Sequence, residues 1–326
     1  MLDHRIIQGI AIPYSALVSV IFGLMILSFP IGAYLFFNSQ IGRSIDYGLP
    51  ITELDTVKRY DLQFIHGITI GDVFVASWVI FLILFVIATL GPKKNFLQVL
   101  SPLMSGAYQS QTGNYLIHAI KWFSIIVVLS GAIDAVQQSI GISITPPTFD
   151  NDLIGFMGVS IAPLIEEFAF RILLIGIPLF LLYSHRASAK LFIKSLWNPS
   201  DNLPIINSKK AIILITAIGV LFGAAHILSD QWSTGKFAQA TMAGIIIGWI
   251  YYRYGFVASL LIHWATNYMV FAYAYTVSSI NETKIAESFS QSLVQTIETI
   301  LVLCGILGIT LMILEYRKNR LVANVN

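Results

Sequence analysis

Long apolar runs without charge recur along the whole of this sequence, and that repetition restricts the fold more than any other feature. A run of about 18 or more such residues is long enough to cross a bilayer as a helix. Eight can be traced: Ile10–Phe37, Ile70–Leu90, Tyr115–Ile140, Leu153–Tyr183, Ala211–Leu228, Phe237–Tyr252, Phe256–Val277 and Leu293–Leu314. Hydrophobic residues make up 56% of the chain and charged residues only 11%, against roughly 25% charged in a soluble domain. Lipid offers backbone groups no partners, so such runs must bond within themselves as helices. The predicted fold is therefore an all-α, polytopic membrane helix bundle of about eight transmembrane helices. The first run exceeds the roughly 7–15 apolar residues of a signal peptide and is read as a retained helix. Pro13, Pro30, Pro163 and Pro178 fall within spans, where neighbouring helices can satisfy the freed backbone groups. Ala240, Gly244 and Gly248 form a small-residue ridge on the sixth span, suited to close helix approach.

Charge then orients the bundle. With the N-terminus inside, thirteen of the nineteen Lys and Arg residues fall in inner segments and five (Arg43, Lys58, Arg59, Lys236 and Lys284) in outer ones. Arg171 lies within a span. Cytoplasmic loops concentrate such residues, so both termini are expected to be cytoplasmic. A net charge of +2 gives no reason to expect nucleic acid as a partner. The single cysteine, Cys304, sits in an apolar run and reads as a packing residue, with no disulfide framework or Cys-rich metal site. For Ala189–Trp197, with Leu191, Phe192 and Leu196 beside Lys190 and Lys194, a helix on the inner surface and an ordinary linker are equally open.

Ionisable residues deep in a bilayer are costly and mark function by default. Here they are Asp134, Glu166, Glu167, Arg171, His226 and His263, with Glu298 nearer a span end. Glu167 and Arg171, four residues apart with the acid first, share a helix face suited to an ion pair. Glu166 points about 100° away and is free to meet something else. His226 follows Phe222-Gly223-Ala224-Ala225, small residues that leave room beside its ring. Taken alone, it is more often an interhelical hydrogen-bonder than a catalyst. His263 and Asn267 share a face one turn apart. As a pair they fit either packing or donation to a developing oxyanion. Together, an acid, a His and a His/Asn pair on the fourth, fifth and seventh spans make up the parts of acyl-group hydrolysis.

The ordered set Glu-Glu-x-x-x-Arg, Phe-x-x-x-His and His-x-x-x-Asn resembles the CPBP family, the type II CAAX prenyl endopeptidases and bacteriocin-processing or self-immunity proteins. The run Tyr251-Tyr252-Arg253-Tyr254-Gly255 before the third motif is similar to the family's approach to it. The resemblance implies an intramembrane glutamic-type endopeptidase. In it Glu166 and His226 activate a water, His263 and Asn267 hold the oxyanion, and Glu167 and Arg171 support them. It implies a membrane-protein or lipidated-peptide substrate and CAAX-type C-terminal processing as one possible activity. It divides the chain into N-terminal accessory helices (1–142), a catalytic core (153–277), and a last helix with a basic tail (290–326).

Two rival functions are a proton-coupled transporter and a non-catalytic immunity or scaffold protein. Asp134 with Gln137 and Gln138 would suit a proton relay, although a structural interhelical bond is the expected role of Asp134, and no internal repeat of the transporter kind is visible. The sequence lacks a His-Glu-x-x-His motif and a second deep Asp to pair with Asp134. Glu166, His226 and His263 are also a possible zinc-ligand set. A zinc-bound Glu166 would leave no general base and no task for Asn267, so no cofactor is expected, with zinc left open.

Overall fold

A computed structural model of the chain describes residues 2–39, 47–53, 67–105, 114–144, 151–186, 188–205, 208–228 and 232–323. Arg43, Lys58 and Arg59, counted above as outer cations, lie outside these residues. The main helices are α1 (Leu2–Asn38), α2 (Ile70–Leu90), α3 (Phe96–Met104), α4 (Tyr115–Ser139), α5 (Asp152–Glu167), α6 (Ile177–Tyr183), α7 (Ala189–Trp197), α8 (Lys209–Leu228), α9 (Lys236–Tyr254), α10 (Phe256–Trp264), α11 (Val270–Asn281) and α12 (Ser292–Ala323). A π-helical stretch, Phe168–Gly176, joins α5 to α6, and a second, Ala265–Met269, joins α10 to α11. No strand occurs among the described residues.

Six helical runs are long and apolar enough to cross a membrane: Arg5–Asn38, Ile70–Leu90, Tyr115–Ser139, Lys209–Leu228, Phe256–Asn281 and Ser292–Lys318. The chain is an integral, multi-pass, all-α membrane protein. The other two predicted spans are also helical. The fourth is the unbroken run from α5 through the π stretch to α6, and the sixth is α9. The π stretch divides the fourth into α-helices of 16 and 7 residues, and Lys236, Gln239 and Arg253 lower the apolar character of the sixth.

The run Phe256–Asn281 is the pillar of the bundle: 72% of its most apolar window is buried, against 28–50% for the other five. Its neighbours tie to it through hydroxyls as well as apolar contacts. Tyr268 donates to the Ser28 and Phe29 carbonyls of α1 at 3.2 and 3.3 Å, and Tyr273 donates to the Leu24 carbonyl at 2.8 Å. Such bonds use carbonyls already engaged in helix α1, so they add specificity without breaking it. Trp264 stacks on Phe29 at 5.0 Å and on Tyr268 at 5.5 Å. One apolar cluster runs from Ile7 on α1 to Leu311 on α12 and contains residues from all three segments expected from the sequence.

The small residues read from the sequence sit where α9 packs closely on α8. A Cβ at Gly244 on α9 would meet the Gly219 carbonyl of α8 at 3.1 Å, and one at Gly248 would meet Ile215 at the same distance. Gly219 and Gly223 complete the seam from the α8 side, opposite Ile245 and Thr241. At Gly255, where φ is +88°, the chain turns from α9 into α10 with the Trp197 carbonyl only 2.6 Å from where a Cβ would stand. Only glycine accepts that conformation and that proximity together. Of the two readings left open for residues 189–197, the helical one holds. Ser188 caps α7, and Tyr251 of α9 donates to the Leu196 carbonyl at 2.8 Å.

Asp134 departs from the interhelical role expected of it. Near the end of α4, it accepts from Gln138 of its own helix at 2.8 Å, and Gln137 makes the cross-helix bond, to the Gly235 carbonyl at 2.8 Å. Cys304 is buried within the apolar cluster, as a packing residue would be.

Two measurements check this architecture. Gly219→Val should force α8 and α9 apart at a cost of about 1–3 kcal/mol, seen as a lower melting temperature, whereas Gly9→Val, in open space, should leave it unchanged. For orientation, single cysteines at 284 and 190 should react with an impermeant reagent from outside and from inside respectively. Outside labelling at 190 would reverse the assignment drawn from the charges.

Candidate active site

The site begins with the register of α5. Asn151 caps this helix by accepting from the Leu153 and Ile154 amides at 2.9 and 3.2 Å, which fixes where the helix starts. Sixteen residues later it delivers Glu166 and Glu167 side by side, at the point where the backbone widens into the first π-helical stretch. Such π segments are rare and concentrate at functional sites.

The two glutamates diverge as their helical positions dictate. Glu167 is wholly buried, and one of its oxygens accepts from Arg171 Nε at 3.1 Å, with both side chains fully removed from solvent. Its other oxygen accepts from His263 Nδ1, 3.0 Å away on α10. The ion pair expected from the four-residue spacing is present, and the carboxylate also holds a histidine 96 positions further along. That second bond was not readable from local spacing. Arg171 further lies over the Phe222 ring at 5.1 Å, a cation–π contact that partly compensates a guanidinium whose terminal nitrogens have no hydrogen-bond partner among the described residues.

Glu166 turns the other way. Its Oε2 stands 3.6 Å from His263 Nε2, is buried, and has no hydrogen-bond partner among the described residues. His263 therefore lies between two carboxylates, Glu167 on its Nδ1 and Glu166 on its Nε2.

His226 enters from α8. Its Nδ1 lies 2.9 Å from the Phe222 carbonyl, which can only accept, so Nδ1 carries the proton and the neutral ring has its lone pair on Nε2. This histidine lies within electrostatic reach of both Glu166 and His263. Phe222 organises the group, meeting His226 edge-on at 4.6 Å, His263 at 5.9 Å and Phe170 at 5.0 Å. Gly223, the next residue, permits the close approach of Phe237 and Thr241 on α9.

Asn267 occupies the second π-helical stretch, half-buried, one turn beyond His263. Its side chain makes no hydrogen bond to a described residue. Thus Glu166, Glu167, Arg171 and His263 meet directly, His226 joins them through Phe222, and Asn267 borders the group on the helix of His263. Among the described residues, no three His, Cys, Asp or Glu side chains gather in an arrangement able to hold a metal ion.

Lys236 is the residue that sequence reasoning missed. Counted only as an outer-loop cation, it opens α9 with its ammonium 4.2 Å from the Trp232 ring and within electrostatic reach of Glu166 and His226. Its position follows from the glycine-lined packing of α8 on α9. The signal in the sequence was faint: a single cation immediately before the apolar run that bears the small-residue ridge.

Residues 151–269 match the family described as Type II CAAX prenyl endopeptidase Rce1-like. No curated protein and no solved structure matches the chain.

Exchanging each glutamate for its amide separates their parts. Glu167→Gln leaves Arg171 without its buried counter-charge, a loss of about 3–5 kcal/mol where such pairs have been broken in soluble proteins, so both melting temperature and activity should fall. Glu166→Gln should leave the melting temperature within a degree or two of the parent while removing activity. Equal thermal behaviour in the two variants would contradict the division of roles.

Proposed function

We propose that this membrane protein, whose residues 151–269 match the family described as Type II CAAX prenyl endopeptidase Rce1-like, is a glutamic-type intramembrane endopeptidase whose base is Glu166. The observation that carries the reading is the placement of Glu166 Oε2: a buried oxygen without a hydrogen-bond partner among the described residues, on a half-buried side chain, and 3.6 Å from a histidine held from its far side by Glu167. A carboxylate so placed has acceptor capacity to spend on a water molecule.

The proposed chemistry balances with the residues of the chain. Glu166 takes a proton from water while the Nε2 lone pair of His226 orients it, and the hydroxide formed adds to the scissile carbonyl carbon. The resulting oxyanion accepts hydrogen bonds from Asn267 Nδ2 and from His263 Nε2. Because Nδ1 of His263 is committed to Glu167, it presents Nε2–H only as the doubly protonated ring. Two flanking carboxylates and one arginine leave that ring's positive charge balanced. As the tetrahedral intermediate collapses, the proton held by Glu166 passes to the departing amine. Glu167 and Arg171 act as positioning residues, since they touch His263 and each other.

General-base removal typically costs about 10²–10⁴ in rate, and loss of one oxyanion donor about 10²–10³. With a membrane-associated substrate, Glu166→Gln should therefore show no measurable turnover. Asn267→Ala should lower kcat by about 10²–10³ with little change in KM, because its bond strengthens only in the transition state. CAAX-type processing is the substrate reading, and paired peptides test it: a prenylated C-terminal peptide should be cut three residues from its end, and its unprenylated twin poorly or not at all. Activity should persist after exhaustive chelation. One zinc per chain, lost with activity and restored with it, would replace Glu166 as the activating group.

A further inference from the structure

On the flank formed by α4 and α12 lies a groove of about 1020 Å³. Its walls follow helical spacing: Trp122, Ile125 and Leu129 from α4, and Ile309, Met312 and Ile313 from α12. Continuing along α12, the groove ends in Tyr316, Arg317 and Arg320. The two helices approach closely where Gly305 packs against the Ser124 carbonyl and Gly308 lies beside Lys121. The apolar and aromatic part of its α12 wall, from Ile309 to Tyr316, is about 10 Å long at 1.5 Å per residue, which lies within one half of a roughly 30 Å hydrocarbon core. The run that spans the membrane ends at Lys318, so the arginines stand where the hydrocarbon gives way to headgroups.

Neither Arg317 nor Arg320 forms an ion pair with a described residue. Glu315, the nearest carboxylate along the helix, acts on Lys121 of α4. Both arginines are exposed, and Tyr316, 65% exposed, is an aromatic of the kind that sits at the membrane–water boundary. A groove with apolar walls, and at its headgroup end two guanidinium groups that form no ion pair with a described residue, matches one kind of occupant in charge and polarity. We propose that it is a binding site for an anionic phospholipid, with the phosphate between Arg317 and Arg320 and an acyl chain along Ile309, Ile313 and Ile125. Guanidinium groups suit this task because their fork of donors meets phosphate oxygens in pairs. The site is separate from the Glu166 cluster and holds whether or not that cluster is catalytic.

Native mass spectrometry of the full chain, titrated with phosphatidylglycerol or phosphatidylcholine of the same acyl chains, tests the assignment. The parent should retain phosphatidylglycerol at least about tenfold more tightly, and each of Arg317→Gln and Arg320→Gln should cost about fivefold, as expected for one basic residue at an anionic surface. Ile309→Trp, which fills the groove, should weaken both lipids, and Arg186→Gln, an exposed basic residue elsewhere, should change neither. Equal retention of the two lipids would overturn the proposal. So would an effect of Arg186→Gln as large as that of the groove arginines, displacement by free glycerol 3-phosphate at the lipid's own concentration, or efficient disulfide dimers of Ile313→Cys in membranes, which would make a second copy the occupant.

Discussion

A carboxylate removed from both water and lipid headgroups holds this protein's polar interior together. Glu167 is fully buried, and each of its oxygens is claimed by a different partner: Arg171 from its own helical run and His263 from the pillar of the bundle. An ionised group in such surroundings is tolerable only when paired and hydrogen-bonded. The requirement acts in both directions, because the arginine is equally buried and needs the acid. Two segments separated by nearly a hundred residues are thereby held in one arrangement. The position of His263, and with it the distance from Glu166 to the ring, follows from that constraint.

Around this polar centre the bundle is built from shape. Apolar burial distinguishes poorly between helix pairs when the solvent is itself hydrocarbon, so small residues and close backbone approach decide which helices meet. Gly219, Gly223, Gly244 and Gly248 supply that along the seam of α8 and α9. The seam brings His226 beside the pillar and Lys236 within electrostatic reach of Glu166. Phe222 fills the space among Phe170, Arg171, His226 and His263, so one aromatic ring sets the spacing of four functional neighbours. Tyr268 and Tyr273 bind the pillar to α1, extending the order of the centre into the N-terminal helices.

The all-α architecture was legible because each apolar run announces itself locally, and so was the Glu167–Arg171 pair, which obeys a four-residue rule. Direct contact of His263 with both glutamates was not, since nothing in a linear spacing connects residues 167 and 263. Lys236 was overlooked for the same reason: its role depends on helix packing and not on its own neighbours in the chain. Asp134 misled, because a carboxylate within a predicted span counts as deep until the geometry places it near a helix end with Gln138 folded back upon it. Two of the eight expected spans are less plain in the structure: the one with the glutamate motif is divided by a π-helical stretch, and the one with the small-residue ridge carries enough polar residues to blur the signal used to find spans.

Both helical runs that carry acid or amide groups of the site pass through π-helical stretches, at Phe168–Gly176 and Ala265–Met269. A wider turn keeps a helix continuous but takes up an extra residue, so everything beyond it is rotated relative to an α-helix of the same length. The consequence concerns length more than identity. A substitution within either stretch changes one side chain, whereas removal of a single residue would let the turn tighten and swing the remainder of the helix by about 100°. Functional relatives should therefore keep these stretches free of gaps when their sequences are aligned, even where the residues themselves drift, and a one-residue gap there would mark a chain whose interior has been rearranged.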